Sequence, residues 1–78
     1  MDNLERNMIM LRYHNTYKKY YTQKDIAEKL KIPQTQISRI ENGTQPRLND
    51  VIAYAVFFNV SIDDLVFKEY NIDDNKFY

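Results

Sequence analysis

The sequence predicts an all-α domain of five short helices, and three observations carry that prediction. Apolar residues recur three and four apart through most of the chain, the spacing of one helix face. Thr22 with Asp25, and Ser61 with Asp64, each pair a hydroxyl with a carboxylate three residues later, the signature of a helix start. The one glycine and two prolines, Gly43, Pro33 and Pro46, fall between the periodic stretches rather than inside them.

The first helix is expected over residues 4–17, with Leu4, Met8, Leu11 and Met10 as its apolar stripe. Residues 17–21 read as a basic, aromatic connector or as a prolongation of that helix. Thr22 caps the second helix, Asp25 accepts in return from the cap's own N–H, and Ile26, Ala27 and Leu30 form the buried face. Helix three starts near Pro33 or Gln34, since proline in a first turn gives up no intrahelical bond. Ile37 and Ile40 point inward, leaving Gln34, Thr35, Ser38 and Arg39 outside, and Gly43 ends the helix. In helix four, residues 48–59, the expected core face is Leu48, Val51, Ile52, Ala55 and Phe58. Ala53, Tyr54 and Phe57 lie on its other side, so the helix reads as covered all round. Helix five opens at Ser61 with Ile62, Leu65 and Val66 inward, closing a domain of residues 1–69 before a polar tail, 70–78.

Composition narrows the function. Seventy-eight residues suit one domain, and without cysteine there is neither a disulfide framework nor a thiolate metal site. The longest apolar run, residues 51–58, is far shorter than the roughly 20 residues that span a bilayer. No export signal is evident at the N-terminus, so the expected compartment is cytoplasmic. Net charge is zero but unevenly spread: residues 1–47 hold nine Lys/Arg against five Asp/Glu, and residues 48–78 hold two against six. A basic half and an acidic half suit a protein that docks one surface on phosphates. His14, the single histidine, has no partner at ligand spacing, and Asp63-Asp64 and Asp73-Asp74 read as a helix cap and part of the tail. No enzyme, cofactor or metal site is therefore expected.

The most informative stretch is residues 22–43, two short helices joined by a tight turn, the second carrying a polar outer face. Thr22-Gln23, Ile26-Ala27, Leu30, Ile32 and the run Ile37-Ser38-Arg39-Ile40-Glu41-Asn42-Gly43 closely resemble the Cro/CI-type helix-turn-helix family, the phage-repressor-like or XRE domains. Pro46, the fourth helix and Val60-Ser61 with Asp63-Asp64-Leu65 extend the likeness over roughly residues 8–66. The resemblance implies a compact five-helix, lambda-repressor-like fold and a partner, double-stranded DNA, read by helix three in the major groove. By position it assigns base reading to Gln34, Thr35 and Arg39, with Ser38 as a further candidate. Gln suits adenine, Arg guanine, and Thr a thymine methyl. Gln23 and Lys24 at the start of helix two, and Asn42 and Thr44 beyond helix three, are the expected phosphate contacts, with Lys31 and Arg47 adding diffuse attraction. Glu41 is expected to be structural, held by Arg12. The competing reading of Gln34 and Thr35 is a solvated helix face, and that of Arg39 is a surface pair with Glu41 or Asp50.

Three departures from the family pattern stand out. Lys31 occupies the turn position that usually holds glycine, where positive φ strains a side chain. Pro33 replaces the usual Ser or Thr cap of helix three, and the spacing from Leu11 to Thr22 is about four residues longer than is common, enough for an extra turn of helix one.

Members of the family usually bind palindromes as dimers, so a homodimer is expected. Its candidate interface is Ala53, Tyr54 and Phe57 with Phe67 and the aromatic tail, unless the tail folds back over its own domain. The alternative function on the same fold is protein binding, as the antitoxin of a toxin pair or as an adaptor.

Overall fold

The computed structural model describes residues 3–13, 15 and 19–68. Within them the chain forms five helices and no strand: α1 (Leu4–Tyr13), α2 (Gln23–Leu30), α3 (Gln34–Glu41), α4 (Leu48–Phe58) and α5 (Ile62–Phe67). α2 packs on α3, α1 lies against α3 and α5, and α4 closes the core against α2 and α5. The core is Leu4, Met8 and Leu11 from α1, Ile26 and Ala27 from α2, Ile37 and Ile40 from α3, Val51, Tyr54, Ala55 and Phe58 from α4, and Leu65 from α5, with Tyr21 and Ile32 from the connections. Met10 and Leu30 pack on its rim.

α1 ends at Tyr13, short of the expected residue 17. Asn15 is not helical; its side-chain amide donates to the carbonyls of Leu11 (2.8 Å) and Lys19 (2.8 Å), satisfying an orphan helix-end oxygen and folding the chain back. Lys19, Tyr20 and Tyr21 are also non-helical. The other end of α1 is tied to α5. Asn3 N–H donates to Val66 O (2.7 Å), and the buried Asn7 amide reaches Leu65 O (2.8 Å) and Lys68 O (2.7 Å).

α4 departs most from expectation. Tyr54, expected on an outward interface, is fully buried, whereas Leu48 and Ile52, expected in the core, are exposed, Leu48 to 69%. The inward set is Val51, Tyr54, Ala55 and Phe58, with Ala53 and Phe57 at its edge. A helix apolar on every side gives periodicity little by which to choose a face, and here the large rings decide. Tyr54 packs on Phe58 (centroids 6.0 Å apart), and Phe58 packs edge-on with Phe57 (4.9 Å) and Tyr21 (6.0 Å). Each ring buries more area than an isoleucine would, so the helix turns its aromatic side inward. The face left open carries Leu48, Ile52 and Val56, one per turn. α5 is likewise only half as expected: Leu65 is buried and Val66 half-buried, but Ile62 is exposed, as is Phe67. The expectations for His14, Tyr17 and the tail from residue 69 onward lie outside the described residues.

Candidate nucleic-acid interface

The α2–α3 pair is fixed by local chemistry at both ends of α2. Asp25 N–H donates to Thr22 Oγ1 (3.0 Å), and Thr22 N–H donates to Asp25 Oδ2 (3.1 Å), closing the expected capping box. The same bonds, that from the Thr22 backbone first, hold the Asp25 carboxyl below its ordinary range. At the far end Lys31 takes the left-handed conformation, φ 58°, that glycine would adopt without strain. Ile32 N–H returns to Ala27 O (3.0 Å), and the two side chains are buried, as in a Schellman ending. The turn is therefore made in the ordinary way, with the strain retained.

α3 begins after Pro33, whose carbonyl accepts from Gln36 N–H (2.9 Å) and Ile37 N–H (3.2 Å) and which offers no side-chain cap. Gln34, Thr35 and Arg39 are exposed and Ser38 is half-buried; positions 34, 35, 38 and 39 share one side of an eight-residue helix. Among the described residues Arg39 forms no ion pair, so the surface pairing with Glu41 or Asp50 is not made. The helix ends with Asn42, whose amide donates to Ser38 O (2.9 Å), and with Gly43 at φ 106°. Thr44 N–H then turns back to Arg39 O (2.9 Å), leaving the Asn42 and Thr44 side chains exposed.

Beneath this surface lies the foreseen Arg12–Glu41 pair. Arg12 donates through Nε (2.6 Å) and Nη2 (2.7 Å) to the two Glu41 oxygens, a bidentate bridge with both side chains nearly buried. Arg12 Nη1 also donates to Tyr21 O (3.0 Å). Burial pulls the guanidinium pKa down, but the bonds and charge of Glu41 outweigh it and hold Arg12 charged well above the ordinary range. Gln23 joins the network by donating Nε2 to Glu41 Oε1 (3.0 Å). One ion pair thus ties α1, the start of α2 and the end of α3 together. Lys24, one residue along α2, is exposed.

Two residues of the site escape a reading of the sequence. Gln36 is buried, and its amide reaches Asp50 Oδ2 (3.4 Å), linking α3 to the first turn of α4. Asp50 also accepts from Arg47 N–H (3.3 Å), the return half of a capping box whose other half is missing because arginine has no acceptor. The signal was present: Gln36 stands one turn before Ile40 on the apolar side, and Asp50 three residues past a helix start.

The family comparison agrees with this geometry. Residues 15–65 match the family described as Helix-turn-helix. The chain belongs to that family. No curated protein and no solved structure matches it. Within the helix-turn-helix, of the Cro/CI type, α2 and α3 are the first and second helices of the motif. The family is one of DNA-binding regulators, not of enzymes. Among the described residues, no helix is long and apolar enough to cross a membrane.

Proposed function

We propose that this helix-turn-helix protein is a transcriptional regulator that binds a palindromic operator as a dimer, with α3 in the major groove. The observation that carries the reading is the exposed set Gln34, Thr35 and Arg39 on one side of α3, held at a fixed angle by the Arg12–Glu41–Gln23 network. Gln34 pairs bidentately with adenine, Arg39 with guanine, and Thr35 packs its methyl on thymine, with Ser38 at the edge of the footprint. Gln23 and Lys24 hold a phosphate at the open end of α2. The Gln23 amide spends one N–H on Glu41 and keeps the other, and the first backbone N–H groups of a helix have no intrahelical partner. Asn42 and Thr44 hold the backbone on the far side of α3.

A single recognition helix makes few base contacts, which favours two copies on two half-sites. The open apolar row of α4, Leu48, Ile52 and Val56, with Ile62 and Phe67 of α5, supports self-association through these helices. It replaces Tyr54, which the core has taken, and Ala53 and Phe57 border the core rather than lead the contact. The same row supports a second reading, a toxin or other protein as partner.

Selection from a randomised duplex pool at about 150 mM salt tests the proposal. The expected result is an enriched inverted repeat with half-sites about 10 bp apart. Retention without enrichment, lost steeply as salt rises, overturns it in favour of the protein partner.

A further inference from the structure

The end of α1 and the connector to α2 carry two exposed tyrosines that the base and phosphate contacts above do not use. Tyr13, the last residue of α1, is 42% exposed, and Tyr20, two residues before the Thr22 cap, is 52% exposed. Their rings lie 5.1 Å apart, tilted by 45°. Both stand on fastened backbone. Asn15 holds the Lys19 carbonyl, and Tyr21 N–H donates to Arg12 O (2.8 Å) while Arg12 Nη1 returns to Tyr21 O. The Arg12 guanidinium sits 5.0 Å from the centre of the Tyr13 ring.

A continuous path therefore runs from Gln23 through Glu41, Arg12 and Tyr13 to Tyr20. The Tyr20 ring thus packs on Tyr13 two residues before the Thr22 cap that opens α2. A phenol has one hydrogen to donate, and about half of Tyr20 is open to solvent. Lys19, adjacent and exposed, keeps the local potential positive.

We propose that Tyr20 is a DNA-backbone contact, its hydroxyl donating to the phosphate next to the one held at the start of α2. This rests on the DNA-binding reading above and extends its footprint by one phosphate on the α2 side of each half-site. The longer connector then has a purpose: it carries a rigid phenol to the backbone, where a tighter turn would present none.

The test uses the full chain and the selected operator, with single phosphates along the half-site flank replaced by neutral methylphosphonates. Tyr20→Phe keeps the ring and its Tyr13 contact and should unfold at the wild-type temperature. It should bind the unmodified operator about 10- to 100-fold more weakly, the worth of one hydrogen bond to a charged group. One methylphosphonate should cost the wild type the same factor and cost Tyr20→Phe nothing more. Wild-type binding by Tyr20→Phe overturns the proposal, as does a loss that simply adds to that of every methylphosphonate. A weakened Tyr20→Ala beside an unaffected Tyr20→Phe also overturns it, because only ring packing then matters. Arg39→Ala on the same duplexes separates the two levels. If it loses base discrimination while Tyr20→Phe equals wild type, the Tyr20 assignment alone falls; if wild type prefers no duplex, the DNA reading falls and takes this one with it.

Discussion

The α2–α3 unit and the α4–α5 unit of this small domain are held by different physics. α2 and α3 are placed by directional bonds: the Thr22–Asp25 box, the left-handed Lys31, and the bidentate Arg12–Glu41 bridge reaching Gln23. α4 is placed by bulk, with Tyr54 and Phe58 drawn inward and a row of aliphatic side chains left in water. Directional bonds fix an angle, which a recognition helix needs. Bulk burial fixes only a depth, and it leaves a surface free for a partner.

The largest expected effect breaks the first unit. Glu41→Ala strands the Arg12 charge in a nearly closed site and should cost about 3–5 kcal/mol in urea unfolding, enough to unfold much of a domain whose whole stability is about 5–15 kcal/mol. Replacing both partners by apolar residues should recover part of that loss, because nothing charged is then left unpaired. A loss below about 1 kcal/mol for Glu41→Ala would mean the bridge behaves as a surface pair.

The second prediction sharpens the reading of α4. Tyr54→Ala should destabilise by about 3–5 kcal/mol, as for other buried rings, while Ile52→Ala should stay within about 1 kcal/mol at concentrations where the protein is monomeric. The reverse ranking would restore the face that periodicity alone suggests. The Tyr54 hydroxyl is buried with no hydrogen-bond partner among the described residues, and burial pushes its phenol above the usual tyrosine range. Tyr54→Phe should therefore be neutral or slightly stabilising.

The same contrast explains what the sequence made legible. The Thr22 cap and the Gly43 ending of the first unit rest on residue types with one good use at their positions. Thr22 with Asp25 starts a helix, Gly43 ends one, and the family resemblance implies Arg12 as the partner of Glu41. These places were readable, and so were the exposed positions on α3. In α4, alanine, isoleucine, valine, tyrosine and phenylalanine fill every side, so the face that the apolar pattern names is wrong at Leu48, Ile52 and Tyr54. Asp50 was the available clue, since a carboxylate that returns to its own helix start and meets Gln36 must lie inward. The connector was ambiguous for another reason: residues 17–21 fit either a helix or a loop, and of these Lys19, Tyr20 and Tyr21 are non-helical, with the Lys19 carbonyl held by Asn15.

Two smaller effects probe the first unit's joints. Lys31→Gly should raise stability by about 0.5–1 kcal/mol, because the relief of left-handed strain exceeds the added freedom of the unfolded chain. The capping carboxylate sets a pH dependence. The folded-state pKa of Asp25 lies below its unfolded value near 3.9, so its contribution is complete above that pH and is lost as pH falls through the folded value. Asp25→Asn should be less stable than wild type at neutral pH, with the gap narrowing below about pH 4 in unfolding curves.

The most direct test of the central claim, that the outer face of α3 reads bases, is Arg39→Ala measured against every single-base variant of the selected operator. The account predicts a loss of about 1–3 kcal/mol tied to one base pair in each half-site, with discrimination there abolished and other positions read as before. An equal loss across all sequences, with a salt dependence weaker by about one charge, would contradict it and make Arg39 a phosphate contact.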